Sequence, residues 1–91
     1  MSTIAVVLKI DAARVANCLL EARTALDSAP GETILDFSSV QRIDPQALKA
    51  MEELIDLADG KGIKVGVRGV NVDIYKVLKL VRLAPRFCFL T

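Results

Sequence analysis

The stretch TILDFSSVQRIDP, residues 33–45, decides the fold of this 91-residue chain. Residues 33–37 are rich in β-branched and apolar side chains, which predicts a strand. Residues 38–42 are mostly polar and predict a loop, after which Ile43 is expected to point back toward the core. The Asp44-Pro45 pair then predicts the start of a helix, because aspartate accepts hydrogen bonds from free N–H groups and proline tolerates the first helical position. The stretch therefore predicts a strand–loop–helix unit.

The residues before this stretch predict a further strand and helix. Residues 4–10 are almost continuously apolar, as expected for a strand covered on both faces. Asp11 is expected to cap a helix that begins at Ala12, and residues 28–31 predict its end. The helix is expected to bury apolar side chains at three- and four-residue steps, namely Ala12, Val15, Ala16, Leu19, Ala22 and Leu26.

The helix that starts at Asp44 is expected to end at residues 60–62, and a third strand is predicted at residues 63–68. Within this strand Val65 and Val67 are expected to share one face. The apolar stripe expected to be buried in the helix consists of Leu48, Met51, Leu54, Ile55 and Ala58.

Asn71 or Asp73 is expected to cap a third helix, which residues 83–85 close before a short strand at 87–90. The core stripe of the third helix is expected to be Ile74, Val77, Leu78 and Val81. The resulting order βαβαβαβ predicts an α/β fold in a single domain over residues 1–91, with a mainly parallel four-stranded sheet packed by helices.

Composition excludes several classes of function. Twelve basic and eleven acidic residues leave a net charge of +1, which is too balanced to favour nucleic acid or membrane surfaces. The chain contains no histidine, and therefore lacks the commonest general base and metal ligand. No apolar run approaches the length of a membrane span, so no membrane insertion is expected. The widely separated Cys18 and Cys88 are expected to be buried small hydrophobes in a reduced, cytoplasmic protein.

Motifs for catalysis and cofactor binding are also missing. The sequence contains no GxSxG, GxxxxGK[ST] or GxGxxG pattern, so no catalytic residue and no cofactor is predicted. Polar residues at the expected carboxyl ends of the strands, Asp11, Ser38, Ser39 and Asp44, could ligate a metal ion. Acidic residues at these junctions more commonly start helices, and no metal site is predicted.

Charged residues are segregated between two of the predicted helices. The acidic set on the second helix is Glu52, Glu53, Asp56 and Asp59, and the basic set on and after the third is Lys76, Lys79, Arg82 and Arg86. Two interpretations remain open: solvated or mutually paired faces, and a docking surface for a protein of complementary charge. Nucleic-acid binding is disfavoured, because the basic set is small and Tyr75 alone makes no stacking platform.

The strand–loop–helix stretch TILDFSSVQRID, residues 33–44, resembles the signature of the STAS domain family, named for sulphate transporters and anti-sigma-factor antagonists. The segment KGIKVGVRGV, residues 61–70, is similar to the family's next strand, and Val77-Leu78 with Leu83 are similar to its following helix. The resemblance extends over roughly residues 4–83.

The resemblance implies a non-enzymatic module that binds a kinase-type anti-sigma factor through the loop before the second helix and its first turns. In such antagonists a serine at the start of this helix is phosphorylated by the partner, which abolishes docking. Here Gln46 occupies the position of that serine, so no phosphoacceptor is expected there. The partner-binding residues that the resemblance implies are Ser38, Ser39, Arg42, Asp44, Pro45, Gln46 and Lys49.

Other functions stay open at the level of sequence. The chain could be a STAS subunit of a transport or regulatory complex, or a nucleotide- or small-molecule-binding domain that uses Asp11, Ser38 and Gly69. Ser38 and Ser39 are alternative, less favoured phosphoacceptors. The family's leading strand and its final helix have no counterpart in the sequence, so the edge of the strand at residues 4–10 could pair with a second copy in a homodimer.

Overall fold

The computed structural model describes residues 5–28 and 32–90 of the chain. The four strands are β1 Ala5–Lys9, β2 Glu32–Asp36, β3 Lys64–Arg68 and β4 Cys88–Leu90. The helices are α1 Val15–Ser28, α2 Pro45–Lys61 and α3 Val72–Leu80, and a short 3₁₀ turn at Ala84–Arg86 precedes β4. The predicted alternation of strands and helices is confirmed, with Ile4 and residues 29–31 outside the described part of the chain.

The strands form one parallel sheet in the order β1-β2-β3-β4. The register places Leu8 beside Leu35, Leu35 beside Val67 and Val67 beside Phe89, so one row of side chains crosses the whole sheet. Strands that follow each other in sequence are therefore neighbours in space, and the predicted α/β architecture with a parallel four-stranded sheet is confirmed.

The core lies between the helices and one face of the sheet. The side chains buried on this face are Thr33, Leu35, Val65 and Val67. The prediction that Val65 and Val67 share one face is confirmed. The helices contribute the apolar stripes predicted from sequence, and the side chains buried there are Leu19, Ala22, Leu26, Met51, Leu54, Ile55, Ala58, Ile74 and Leu78.

The opposite face of the sheet is open, contrary to the prediction that the first strand is covered on both faces. Val7 lies in a row with Ile34, Gly66 and Cys88, and its side chain is 46% exposed. The physical reason is topological. Right-handed crossovers between strands in consecutive order place every helix on the same side of the sheet.

The helix termini predicted at Asp44 and Asn71 are confirmed. Asp44 Oδ1 accepts a hydrogen bond from the Ala47 N–H at 2.7 Å, and Pro45 occupies the first helical position. Asn71, and not Asp73, caps α3 by accepting the Ile74 N–H at 2.8 Å. Each cap satisfies one of the free N–H groups of a first helical turn.

The predicted start of the first helix is wrong. Asp11 Oδ1 accepts the N–H of Ala13 at 2.8 Å, two residues ahead, and its carbonyl accepts the Arg14 N–H at 3.0 Å. These bonds close a turn, so the helix begins at Val15 and Ala12 is exposed. Aspartate competes in this way for nearby backbone groups, and sequence alone does not decide between the turn and the cap.

Two further expectations about burial are wrong. Val81 is 45% exposed although its N–H still bonds the Val77 carbonyl; α3 ends at Leu80, and after the left-handed Arg82, with φ of 63°, Leu83 enters the core instead. Cys18 and Cys88 are half-buried, since each lies at the margin of the packed layers. Within residues 5–28 and 32–90, no helix is long and apolar enough to cross a membrane.

A buried hydroxyl generates a stability prediction. Thr33 is 0% exposed, and its Oγ1 makes no hydrogen bond within the described part of the chain. Thr33→Val removes this unsatisfied group at nearly constant volume, so we expect the free energy of unfolding to rise by about 1 kcal/mol in urea titrations. Thr24→Val on the exposed side of α1 is the control and should change it by less than about 0.5 kcal/mol. A loss of stability in Thr33→Val would contradict the assignment.

Candidate functional site

The candidate site is built on the first turn of α2. The Asp44 carboxylate accepts a hydrogen bond from the Ala47 N–H, and the backbone carbonyl of Asp44 accepts one from the Leu48 N–H at 3.0 Å. Pro45 and Gln46 follow immediately, and both are exposed. Gln46 therefore presents an uncharged side chain on a helix tip whose capping carboxylate is already occupied.

A groove of about 380 Å³ separates this tip from the start of α1. Arg42, Asp44 and Gln46 line one side, and residues 12–17 line the other. Three of the residues predicted to bind a partner are thus brought together. Arg14 and Asn17 line the same groove and were missed, because no local pattern indicates that the first turn of α1 faces that of α2.

The loop before α2 is held by the loop between β3 and α3. Asn71 Nδ2 donates a hydrogen bond to the Gln41 carbonyl at 3.0 Å. Gly69, which has φ of 72°, lies so close that a Cβ built on it would be 2.7 Å from Ser38 Cα. Two neighbouring loops therefore fix the position of the residues that lead into the groove.

Ser38 is not among the residues that line the groove. Its N–H donates to Asp36 Oδ1 at 2.9 Å, and Arg68 forms an ion pair with the other carboxylate oxygen at 3.3 Å. Hydrogen bonds from the Ser38 hydroxyl and N–H, followed by the weaker influence of Arg68, lower the pKa of the Asp36 carboxyl below its ordinary value. Ser38 thus supports the loop and does not line the groove.

The remaining predicted residues, Ser39 and Lys49, are exposed beside the groove without lining it. Lys49 lies three positions after Gln46 on α2, so the two side chains share one helix face. The candidate docking surface consists of the groove residues Arg14, Asn17, Arg42, Asp44 and Gln46, with Pro45, Ser39 and Lys49 at its margin.

The segregated charges are partly paired within the chain. Arg86 Nη2 lies 2.7 Å from Asp56 and 2.6 Å from Asp59, and Arg23 lies 3.9 Å from Glu53. Mutual pairing of the two sets is therefore observed between Arg86 and the carboxylates of Asp56 and Asp59, whereas Glu53 pairs with Arg23 of α1.

Metal and nucleotide sites gain no support from the geometry. In the described ranges no three His, Cys, Asp or Glu side chains cluster closely enough to hold a metal ion. Gly69 lines a cavity beside α3, but neither Asp11 nor Ser38 lines that cavity. Of the three residues expected to form a nucleotide site, Ser38 and Gly69 are in contact, but only Gly69 lines this cavity.

The lowered pKa of Asp36 predicts how stability depends on pH. Because the folded-state pKa lies below the unfolded-state value, the carboxylate stabilises the fold above about pH 4, and this contribution disappears as pH falls further. Asp36→Asn should therefore unfold at lower urea concentration than wild type at pH 7, and the difference should shrink at pH 3. A constant difference between pH 7 and pH 3 would contradict this account.

The loop contact at Gly69 predicts a second effect on stability. Gly69→Ala forces a methyl group into the Ser38 backbone at a positive φ, so we expect a loss of about 2 kcal/mol in the free energy of unfolding. Gly60→Ala is the matched control, because a Cβ there meets nothing within 4 Å and the residue lies inside α2. Gly60→Ala should be neutral or stabilising by about 0.5–1 kcal/mol. Equal effects at both positions would show that the loop contact is unimportant.

Two solved structures share this fold. A sulfate transporter family protein from Wolinella succinogenes superposes with a TM-score of 0.76 at 21% identity, covering 93% of this chain and 75% of that chain. A putative anti-sigma factor antagonist from Thermotoga maritima gives a TM-score of 0.69 at 15% identity, covering 97% of this chain and 81% of that chain.

Sequence comparison identifies nearer relatives. The intermembrane phospholipid transport system binding protein MlaB of Escherichia coli (strain K12) is 39% identical over 57 residues, and so is MlaB of Shigella flexneri. Each match covers 63% of this chain and 59% of the relative, so it spans about three-fifths of those proteins. The family model described as the STAS domain matches residues 2–91. The chain belongs to the STAS domain family.

Proposed function

We propose that this chain is a non-enzymatic interaction module that docks onto a partner protein through the groove between α1 and α2. The observation that carries the proposal is the convergence of Arg42, Asp44 and Gln46 with the start of α1 around one cavity. Three of the residues implied by the family resemblance thus line a concave surface. A side chain of a partner protein can insert into such a surface.

The loop that forms this surface is held by two contacts within the protein. Its backbone rests on Gly69, and its Gln41 carbonyl is held by Asn71. A loop that is already in place loses less freedom on association than a mobile one, so more of the contact energy is available for affinity.

Gln46 places a permanently neutral side chain in the first turn of α2. An amide side chain accepts no phosphoryl group from a Ser/Thr kinase, so the switch of the phosphorylated relatives cannot operate at this position. Ser38 is a poor substitute, because its hydroxyl bonds Asp36 and a phosphate there would lie beside that carboxylate. We therefore propose constitutive docking.

The partner is proposed to be a component of a membrane transport assembly for lipids. The sequence relatives named as parts of a phospholipid transport system support this choice, and the two structural neighbours are informative about the fold only. In this role the chain would act in the cytoplasm, bound to a soluble ATPase or to a permease of the assembly.

An anti-sigma-factor antagonist is the second candidate. The resemblance of residues 33–44 to the family signature supports it, and its partner would be an ATP-binding Ser/Thr kinase-like protein. Purification of the tagged chain from its own cells separates the two candidates. An ATPase or permease would support the transport role, and a kinase-like protein would support the antagonist role.

The proposal predicts the effect of charge at Gln46. Gln46→Asp places a carboxylate in the docking surface, and we expect the Kd for the co-purified partner to rise about ten-fold or more in calorimetric titrations. Gln46→Asn is the matched control, because it has the size of aspartate without the charge, and its Kd should stay within about three-fold of wild type. An acidic residue in the first turn favours the helix, so Gln46→Asp should unfold no earlier than wild type. Equal Kd values for both variants would reject the docking surface.

We also propose that two copies of the chain form a homodimer through the edge of β1. β1 is an edge strand of the sheet, and an unpaired parallel edge can add a strand from another molecule. Sedimentation of the isolated chain over a range of concentrations tests it, and a strictly monomeric species would exclude it.

A further inference from the structure

A second concave surface lies on a different part of the molecule, between α3 and the carboxyl ends of β3 and β4. This cavity, here named the α3 cavity, has a volume of about 450 Å³. Its lining is mostly apolar and consists of Val67, Gly69, Val70, Asn71, Val72, Tyr75, Phe89 and Leu90. A volume of several hundred Å³ with an apolar lining is typical of pockets that bind small molecules.

The aromatic wall of the α3 cavity is well ordered by packing. The rings of Tyr75 and Phe89 meet edge to face, with centroids 5.1 Å apart and planes at 83°. Tyr75 is exposed on its outer side, and Val72 at the rim is 67% exposed. Val72 and Tyr75 thus place exposed apolar surface beside the cavity, where a ligand that enters the cavity would cover it.

The α3 cavity has few polar side chains. Asn71 Oδ1 accepts the Ile74 N–H, and Asn71 Nδ2 donates to the Gln41 carbonyl. The Tyr75 hydroxyl is the other polar side-chain group among the described lining residues, so the cavity offers few donors or acceptors for a base or a sugar. This chemistry disfavours a nucleotide and favours a ligand with an apolar body.

A cation lies at the rim. Lys79 Nζ is 5.8 Å from the centroid of the Tyr75 ring, and the exposed Lys76 precedes it by three positions on α3. Neither lysine forms an ion pair with any residue that the structure describes. Asp73 in the first turn is the one acidic residue of α3.

We infer that the α3 cavity binds a monomeric amphiphile with an apolar chain and an anionic head, as in a fatty acid. The chain would fill the cavity against Tyr75 and Phe89 and would cover Val72. The head would pair with Lys79 at the rim. Burial of apolar surface supplies the affinity, and the ion pair selects the sign of the head group.

Titrations of the isotope-labelled chain with three ten-carbon amphiphiles test this inference by NMR. The ligands are decanoate, decanol and decyltrimethylammonium, each below its micelle-forming concentration. We expect decanoate to cause saturable shifts at Val70, Val72, Tyr75 and Phe89, with weaker binding of decanol and weakest binding of the cation.

Variants identify the groups responsible. Lys79→Gln should raise the Kd for decanoate about three- to five-fold, as expected for an exposed ion pair, and should leave decanol unaffected. Lys64→Gln is the matched control, since Lys64 is exposed at the opposite end of β3. Val72→Trp should block the cavity and abolish binding of all three ligands, and the exposure of Val72 makes it compatible with folding.

Four results would overturn the inference. Equal affinity for the three ligands would reject the role of Lys79. Shifts outside the α3 cavity would reject the site. Shifts produced by phosphatidylglycerol vesicles but not by decanoate would indicate a membrane surface as the occupant. Shifts of the same residues on raising the protein concentration alone would indicate a second copy of the chain.

Discussion

The contact between the β2–α2 loop and the β3–α3 loop is the constraint on which the candidate docking surface depends. Gly69 brings its backbone against Ser38, and Asn71 binds the Gln41 carbonyl. Because these contacts fix the loop at both ends, the start of α2 is placed opposite the start of α1. Asn71 serves two purposes here, since it also caps α3, and it thereby couples the position of the loop to the orientation of that helix.

The order of the strands explains why the candidate docking surface lies at the helix tips. Consecutive parallel strands place the amino ends of all the helices at the carboxyl edge of the sheet. The loops that approach one another there contain the residues implied by the family resemblance. The open face of the sheet, in contrast, exposes Val7 in a row with Ile34, Gly66 and Cys88, none of which is charged.

Sequence predicted those features that depend on local periodicity and capping. The alternation of strands and helices, the cap at Asp44 and the buried stripes could be predicted because each depends on residues a few positions apart. The start of α1 could not, since Asp11 closes a turn with Ala13 instead of capping a helix. The exposure of Val81 could not either, because the helix ends at Leu80 and Leu83 enters the core at that end instead.

The groove itself was beyond prediction from sequence for a different reason. Arg14 and Arg42 are distant in the chain, and only the packing of α1 on α2 brings them to one surface. The family resemblance supplied the α2 side of the site and gave no indication of the α1 side. Resemblance to a motif thus identifies one wall of a concave surface, and the three-dimensional fold is needed to identify the other.

The guanidinium of Arg86 helps to attach the last strand, β4, to the rest of the fold. It joins the short turn before β4 to two carboxylates of α2, Asp56 and Asp59. β4 comprises only three residues, so it makes fewer strand contacts than the longer strands do. Its attachment therefore depends more on the ion pairs of Arg86, which salt screens. The two edge strands of the sheet are therefore held differently. High salt should weaken the attachment of β4 before it weakens the apolar packing that holds β1.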